Sequence, residues 1–374
     1  MRKTTLPPFA AAVLLLSACS APEQDSVSEE SETEQSQTIE VADSPVEQAA
    51  PVDPEVAEAR DALSERIAEL GEDFGGSLGI AIVDVQSGWS TGFNESKLLP
   101  QQSVSKLWVS LAALELADRG ELDLESPIDI RREDLTVFHQ PIRPDVLRSG
   151  VVRSDPVDLI ERAITESDNT ANDVLLGQVG GPDAVRQVLA SKGLDNIRFG
   201  PGERAMQSAI AGLNWKQEYA YTRSGFFDAR DAVPDILRKT AFENYLSDPV
   251  DGATPIAIAE ALAALARGDL LSEPSTKRLI ATLQRTKSGP RRLKAGAPAG
   301  WTVAHKTGTG QFYNGRQSGY NDVGLVTSPD GRTYAIAIMI GETRRPTLAR
   351  MDMMQAVTRA VADYDGKLAE AATS

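Results

Sequence analysis

The alternation of apolar and polar residues predicts where this 374-residue chain folds into helices and strands. Residues 61–70 carry apolar side chains at helical spacing, and the pattern stops at Gly71. Two strands are predicted at 77–85 and 89–93, because a Gln-Ser-Gly turn separates two apolar runs. A longer apolar pattern at helical spacing predicts a helix over 103–118.

The second half of the chain returns from helices to strands. Residues 156–285 show mostly helical periodicity. Strands are predicted at 301–306, 322–327 and 333–340, and the last two flank a Ser-Pro-Asp-Gly turn. A helix is predicted over 347–364.

Strands therefore lie at both ends of the folding body, and helices fill its middle. Because strands and helices do not alternate, the order favours one antiparallel sheet to which both chain ends contribute. We predict a two-lobed α/β fold, with terminal helices flanking an antiparallel five-stranded sheet and an all-helical second lobe. A cleft between two lobes is a common place for a small-molecule site.

The N-terminus has the features of an export signal. Residues 1–18 contain Arg2, Lys3, a short apolar run and small residues, which predict a cleaved signal peptide. Leu-Ser-Ala precedes Cys19, and this resembles the lipobox of bacterial lipoproteins, whose cysteine is lipidated. The resemblance implies a lipid anchor at Cys19, and Ser20 after it implies the outer membrane, facing the periplasm. The alternative is a plain signal peptide with an incidental cysteine.

Charge and composition narrow the function classes. The chain has a net charge of −16, and residues 20–59 hold twelve acidic and no basic residues, so we assign 19–59 to a lipidated cysteine and a disordered acidic tether. One catalytic body is assigned to residues 60–374. An acidic chain argues against a nucleic-acid partner, and two histidines with one cysteine are too few for the common zinc sites. We expect no metal and no cofactor.

Three short motifs carry candidate chemistry. Ser103 and Lys106 of Ser-Val-Ser-Lys lie three residues apart on a predicted helix, so the amine can reach the hydroxyl. A Ser-Asp-Asn motif at 167–169 precedes a helical run, and a Lys-Thr-Gly motif at 306–308 ends a strand. Each motif alone has an ordinary explanation, such as a helix cap or a solvated lysine.

Together, and in this order, the three motifs resemble those of class A serine β-lactamases and penicillin-binding proteins, the penicillin-recognising serine hydrolases. The resemblance to class A β-lactamases runs from about residue 62 to residue 364 and includes Ser-Asp-Asn-Thr-Ala at 167–171 and Pro-Ala-Gly-Trp at 298–301. In the class A pattern a glutamate that activates water follows the serine of the second motif at a set distance. Glu203 occupies that position here.

The resemblance implies a catalytic role for each of these residues. Ser103 would attack the lactam carbonyl, and either Lys106 or water held by Glu203 would accept its proton. Ser167 would pass a proton to the departing nitrogen. The backbone N–H groups of Ser103 and Thr309 would form the oxyanion hole, and Glu203 would activate the water that releases the product.

The remaining candidate residues bind substrate. The resemblance implies that Asn169 holds the side-chain amide of the substrate, and that Lys306 and Thr307 hold its carboxylate. Gly308 would let a ligand approach the backbone closely. Gln207 stands where the family has asparagine, and its longer side chain puts the deacylation rate in doubt.

Two further features depart from the family pattern. The segment 213–252 is an insertion, which shapes the site, docks a partner or adds a helical pair that packs its aromatic residues on the body; we favour the last. The segment 311–320 is longer than usual and would alter the rim of the cleft. His305 is next to Lys306, and strand alternation points it away from the site; without an acidic partner in view, we do not expect a Ser-His-Asp triad. The aromatic residues of the insertion are Trp215, Tyr219, Tyr221, Phe226, Phe227, Phe242 and Tyr245.

Three functions are open at this point. The first is a serine β-lactamase, which we favour, acting as a monomer on a small β-lactam, with membrane contact only through the lipid anchor. The second is a D,D-peptidase or penicillin-binding-type protein that forms an acyl-enzyme and hydrolyses it slowly. The third is a non-catalytic envelope adaptor that acts through the insertion. Glu203 favours the first.

Overall fold

The computed structural model describes residues 53–373, so the predicted signal peptide and the lipid attachment at Cys19 lie outside the described residues. The first helix begins at Pro54, because the Asp53 side chain accepts a hydrogen bond of 2.8 Å from the backbone N–H of Glu55. It therefore starts before the predicted residue 61, and residues 54–59, assigned to the tether on composition, are helical.

The helices account for most of the fold outside the sheet. In chain order they are α1 (Pro54–Phe74), α2 (Lys106–Asp118), α3 (Arg143–Ser149), α4 (Pro156–Glu161), α5 (Asn169–Gln178), α6 (Pro182–Ser191), α7 (Glu203–Ile210), α8 (Gly225–Asp231), α9 (Asp235–Ser247), α10 (Pro255–Arg267), α11 (Glu273–Gln284) and α12 (Thr347–Ala371). Among the helices of residues 53–373, none has both the length and the apolar composition that crossing a bilayer requires.

The strands form one main sheet and three small pairs. In chain order they are β1 (Ser77–Asp84), β2 (Ser90–Phe93), β3 (Leu99–Pro100), β4 (Ile128–Arg131), β5 (Val151–Ser154), β6 (Gly252–Ala253), β7 (Thr302–Thr309), β8 (Phe312–Tyr313), β9 (Arg316–Gln317), β10 (Tyr320–Thr327) and β11 (Thr333–Glu342). The main sheet is antiparallel, with the strand order β2-β1-β11-β10-β7. The predicted five-stranded sheet and two-lobed α/β fold are confirmed.

The two faces of the sheet carry side chains of different size. Isoleucines of β1 and β11 pack with α1 and α12 on one face, in one buried core. Alanines of the same strands lie on the other face, where α10 and the helical lobe pack closely. Because both faces are covered, both strands are buried along nearly their whole length. The isoleucines are Ile80, Ile82, Ile336, Ile338 and Ile340, and the alanines are Ala81, Ala335 and Ala337.

The helix that carries Lys106 is central to the helical lobe. In α2 every residue from Lys106 to Glu115 is buried, so this helix lacks the polar face of a surface helix. The predicted helix over 103–118 begins later than expected, because residues 102–105 form a 3₁₀ turn. Ser103 therefore lies on a tight turn directly before α2.

Close backbone contact between the sheet and this turn positions Ser103. A Cβ atom added at Gly308 would lie 2.3 Å from the carbonyl oxygen of Gln101. The side-chain amide of Asn321 donates hydrogen bonds to the carbonyl oxygens of Pro100 (2.8 Å) and Gln101 (3.0 Å). The glycine of the third motif thus leaves room for the chain segment that leads to Ser103.

Candidate active site

One cavity of about 580 Å³ brings residues of all three motifs together. Its walls come from the 3₁₀ turn, the start of α5, α7, α8, β7 and the segment before β8. The ammonium groups of Lys106 and Lys306 are hydrogen-bonded to the lining serines. The lining residues are Ser103, Phe138, His139, Glu166, Ser167, Asn169, Glu203, Gln207, Phe227, Arg230, Ser288, Arg292, Thr307, Thr309, Gly310, Gln311 and Phe312.

Ser103 and Glu203 share one ammonium group. Lys106 Nζ donates a hydrogen bond to Ser103 Oγ at 2.8 Å and forms an ion pair with Glu203 Oε1. The Lys106 and Glu203 side chains are 0% and 2% exposed, so this pair is shielded from solvent. A basic group in direct contact with a hydroxyl is the arrangement that activates a serine nucleophile.

A buried network holds the turn in front of Ser103. Gln102 has a left-handed backbone (φ 55°), which is strained for a residue other than glycine. Its N–H donates to Asp251 Oδ2 at 2.7 Å, and its side-chain amide donates to the Tyr245 hydroxyl at 2.6 Å. That hydroxyl donates to Asp251 Oδ1 at 2.9 Å, so Asp251 and Tyr245 together keep the strained turn in place.

Burial raises the pKa of Asp251 from 3.8 to about 6, and this predicts a pH-dependent stability. Because the folded protein binds this proton more tightly than the unfolded chain, the stability contribution is present below pH 3.8 and is lost as the pH rises through about 6. Relative to D251N, the wild-type free energy of unfolding should fall by about 2–3 kcal/mol between pH 4 and pH 7. Urea unfolding of both proteins at these pH values measures the difference, and parallel pH profiles would contradict it.

The second motif combines a helix cap with two residues that face the cavity. Asp168 caps α5, because its Oδ1 accepts hydrogen bonds from the N–H groups of Thr170 and Ala171 at 2.8 and 3.0 Å. Ser167 lies before it in a left-handed conformation (φ 59°), at the end of a π-helical turn. The side chain of Asn169 donates to the Val137 carbonyl at 2.8 Å. Of the three residues of the second motif, Asp168 thus has the ordinary role of a helix cap.

Lys306 joins the sheet to the helical lobe. Its ammonium group donates to Ser167 Oγ at 2.9 Å and to the Thr307 carbonyl at 3.0 Å. Burial, with the nearby Lys106 ammonium, holds the pKa of the Lys306 amine well below its usual range. Thr307 Oγ1 lies 2.7 Å from Ser288 Oγ at the cavity wall. The serine of the second motif and the lysine of the third therefore form one hydrogen-bonded unit.

Arg292 is a cavity residue that the motifs do not indicate. Its guanidinium donates to Thr309 Oγ1 at 2.7 Å and to the Asn321 carbonyl at 2.6 Å, and it lies 3.7 Å from the centre of the Tyr320 ring. Within residues 53–373, its hydrogen bonds go to uncharged acceptors. The positive charge is therefore available to an anion in the cavity, beside Thr309.

The Gln207 amide is oriented towards Glu203. Its Nε2 donates to Glu203 Oε2 at 3.2 Å, while its Oε1 accepts from Gln311 Nε2 at 3.0 Å. The start of α7 is capped by Asp173, which accepts from the backbone N–H groups of Glu203 (2.9 Å) and Arg204 (3.1 Å). Burial and the nearby Glu203 raise the pKa of Asp173 to about 6. Hydrogen bonds from Gln207 and to Asp173 thus hold Glu203 from both sides.

The segment 213–252 forms a 3₁₀ turn (Gln217–Ala220), α8 and α9, and its aromatic side chains pack on the body. Phe226 contacts Phe138 edge to face, with ring centres 4.9 Å apart. The segment also shapes the site, because Phe227 and Arg230 of α8 line the cavity.

The segment 311–320 forms the β8–β9 hairpin, which rests on this insertion. Tyr313 packs on Phe242 with ring centres 5.5 Å apart, and its hydroxyl donates to Asp235 at 2.8 Å. Phe312, half exposed, lies at the cavity. The insertion and the lengthened third-motif segment therefore build the rim of the cavity together.

His305 has an acidic partner that local motifs did not indicate. Its Nδ1 lies 2.8 Å from Asp322 Oδ1, and both side chains are fully buried. Asp322 lies on β10 opposite Thr307 of β7, and the Leu293 N–H also donates to it. Neither His305 nor Asp322 is among the cavity-lining residues, as strand alternation predicts for His305.

Comparisons with known proteins show the family of this chain. A sequence model described as the beta-lactamase enzyme family matches residues 62–364. The chain is 30% identical over 253 residues to the extended-spectrum beta-lactamase PER-1 of Pseudomonas aeruginosa, covering 67% of this chain and 70% of that protein. It is 26% identical over 268 residues to the beta-lactamase VEB-1 of the same organism, covering 71% and 78%. A solved beta-lactamase from Chitinophaga pinensis superposes with a TM-score of 0.67 at 26% identity, covering 82% of this chain and 99% of that one.

Proposed function

Since the chain belongs to the beta-lactamase enzyme family, as a class A serine β-lactamase that hydrolyses β-lactams, we propose that the reaction proceeds through an acyl-enzyme on Ser103. The observation that carries this proposal is the buried Lys106 ammonium, which contacts Ser103 Oγ and Glu203 together. Once Lys106 has passed a proton to Glu203, its neutral amine is in direct contact with the Ser103 hydroxyl and can accept the hydroxyl proton.

In acylation, Ser103 Oγ bonds to the lactam carbonyl carbon and the C–N bond of the ring breaks. The proton of Ser103 moves to Lys106, or to Glu203 through a water or the ammonium. Ser167 accepts a hydrogen bond from Lys306. It donates a proton to the departing nitrogen and takes a replacement proton from Lys306. The backbone N–H groups of Ser103 and Thr309 stabilise the oxyanion.

Substrate orientation relies on charge and on one amide. We assign the carboxylate of the β-lactam nucleus to Lys306, Thr307 and Arg292, because the Arg292 guanidinium lies beside Thr309 without an acidic hydrogen-bond partner among residues 53–373. Asn169, at the start of α5, binds the amide of the acyl side chain.

In deacylation, Glu203 takes a proton from a water that attacks the ester carbon. The ester C–O bond to Ser103 breaks, and a proton returns to Ser103 Oγ through Lys106. The Gln207 amide, 3.2 Å from Glu203 Oε2, helps to hold that water. Since Gln311 fixes the other end of the amide, the longer side chain is compatible with this task. The glutamate is what separates this mechanism from slow hydrolysis of an acyl-enzyme.

A chromogenic cephalosporin tests the proposal with the purified protein. Sustained colour formation over many equivalents of substrate is the expected result. A single burst equal to the enzyme concentration would instead support a D,D-peptidase or penicillin-binding-type protein. No burst and no labelling of Ser103 would overturn catalysis through this serine.

We further propose that residues 1–18 are removed and that a lipid on Cys19 anchors the enzyme in the outer membrane, facing the periplasm. The support is the Leu-Ser-Ala-Cys sequence and the serine that follows it. In bacterial cells, the wild type should fractionate with outer membranes and C19S with the soluble periplasm, since a lipid anchor of more than one chain binds stably. Wild-type protein in the soluble fraction would contradict the anchor.

A further inference from the structure

We propose that α8 of the insertion forms a binding subsite for a second anionic group, on an aromatic acyl side chain of the β-lactam. The inference rests on the proposed function and extends it, because it names the substrates that this cavity favours. Phe227 and Arg230 provide the subsite, one turn apart on α8, where both line the cavity that contains Ser103.

The subsite lies beside the residue that binds the acyl side chain. The amide of Asn169 is hydrogen-bonded to the Val137 carbonyl, and Phe138 follows directly. The ring centre of Phe138 is 5.6 Å from that of Phe227, whose ring in turn lies 4.9 Å from the Arg230 guanidinium. An acyl group held at Asn169 therefore has two phenylalanine rings and Arg230 in one connected part of the cavity wall.

The charges around the cavity leave the Arg230 guanidinium available to bind an anionic group of the substrate. Both lining carboxylates have lysine partners, since Glu203 pairs with Lys106 and Glu166 with Lys287 at 2.8 Å. Arg230 lies 3.2 Å from Asp231, but this carboxylate is 61% exposed and lies also 3.6 Å from Arg238.

The cavity thus has a guanidinium in two separate places. Arg292 lies beside Thr309 of β7, and Arg230 lies on α8. A β-lactam with one carboxylate uses only the first. A substrate whose aromatic side chain carries a second carboxylate uses both, with its ring against Phe138 and Phe227.

Three penicillins that share the nucleus and the phenyl ring test this subsite: benzylpenicillin, its α-carboxy derivative carbenicillin and its α-amino derivative ampicillin. We expect the wild type to have its highest kcat/KM on carbenicillin and its lowest on ampicillin. In R230Q, the carbenicillin-to-benzylpenicillin ratio should fall about tenfold, the usual weight of one charge-assisted hydrogen bond. R230K should restore part of the ratio.

Two further variants control for charge and for folding. R223Q removes the same charge from the same insertion, but Arg223 is exposed and does not line the cavity, so its ratio should match the wild type. D231N removes the competing carboxylate from an exposed position, and its ratio should rise even if R230Q folds poorly.

Equal ratios in the wild type, R230Q and D231N, with normal turnover of benzylpenicillin, would overturn the subsite alone. Absence of turnover on all three penicillins by the wild type would overturn the proposed function and the subsite with it.

Discussion

Replacing Ser103 with alanine should abolish covalent labelling by a fluorescent penicillin and lower kcat by about 10³- to 10⁶-fold. The reason is that the Ser103 hydroxyl lies in the cavity 2.8 Å from the amine of Lys106, which is itself paired with Glu203. Without Oγ no ester forms, and the remaining groups can only polarise the lactam for attack by water. Gel fluorescence of the labelled protein and steady-state hydrolysis measure the two effects.

Ser110 gives the matched control for this substitution. It lies on the same segment, in α2, and is fully buried, and within residues 53–373 its hydroxyl has no hydrogen-bond partner. S110A therefore changes a serine close in sequence without touching the cavity, and we expect wild-type labelling. Labelling that persists in S103A, at the same stoichiometry as in S110A, would show that another nucleophile carries the acyl group.

Local patterns predicted the sheet and the motifs because both depend on near neighbours. Successive side chains of a strand point to opposite faces of the sheet, so Ile80 and Ala81 lie in the two different cores that cover those faces. Lys106 reaches Ser103 across one helical turn, as their spacing predicts.

Contacts between distant parts of the chain were not predictable in this way. Gln102 meets Asp251 149 positions later, and no local pattern indicates that Asp251 is the partner of a strained backbone. The same holds for Asp322, which pairs with His305 only through the register of β7 and β10. Arg292 likewise reaches Thr309 across a fold contact, so its charge belongs to the site without belonging to a motif.

The segment 213–252 also reaches the site through such contacts, outside the three motifs. Tyr245 of α9 supports the turn that bears Ser103, while Phe227 of α8 lines the cavity. The segment was expected to pack on the body, and its aromatic residues do so. The segment 213–252 therefore both supports the turn that bears Ser103 and shapes the cavity.

Replacing Glu203 with glutamine should convert the enzyme into one that acylates and then stalls. The amide is nearly isosteric but cannot accept the proton of water, so deacylation should slow by about 10²- to 10⁴-fold. A burst of one equivalent of a chromogenic cephalosporin, followed by slow turnover, is the expected trace. Intact-protein mass spectrometry should show the acyl adduct. If E203Q is acylated as fast as the wild type, Lys106 is the acylation base. If acylation slows as much as deacylation does, Glu203 is the base.

Loss of a buried ion pair is a separate effect that this experiment must exclude, because E203Q also removes the partner of Lys106. Glu115 offers the comparison: it is 9% exposed and pairs with Lys192 at 2.6 Å, and neither residue lines the cavity. Glu115 also pairs with Arg119 at 2.7 Å, and its partners are partly exposed. E115Q should therefore lose some stability, yet keep its steady-state turnover. A stalled acyl-enzyme in E203Q but not in E115Q would show that Glu203 activates the deacylating water. Unchanged steady-state hydrolysis in E203Q would remove Glu203 from the mechanism, and the nearby Asp173, buried with a pKa of about 6, would become the next carboxylate to test.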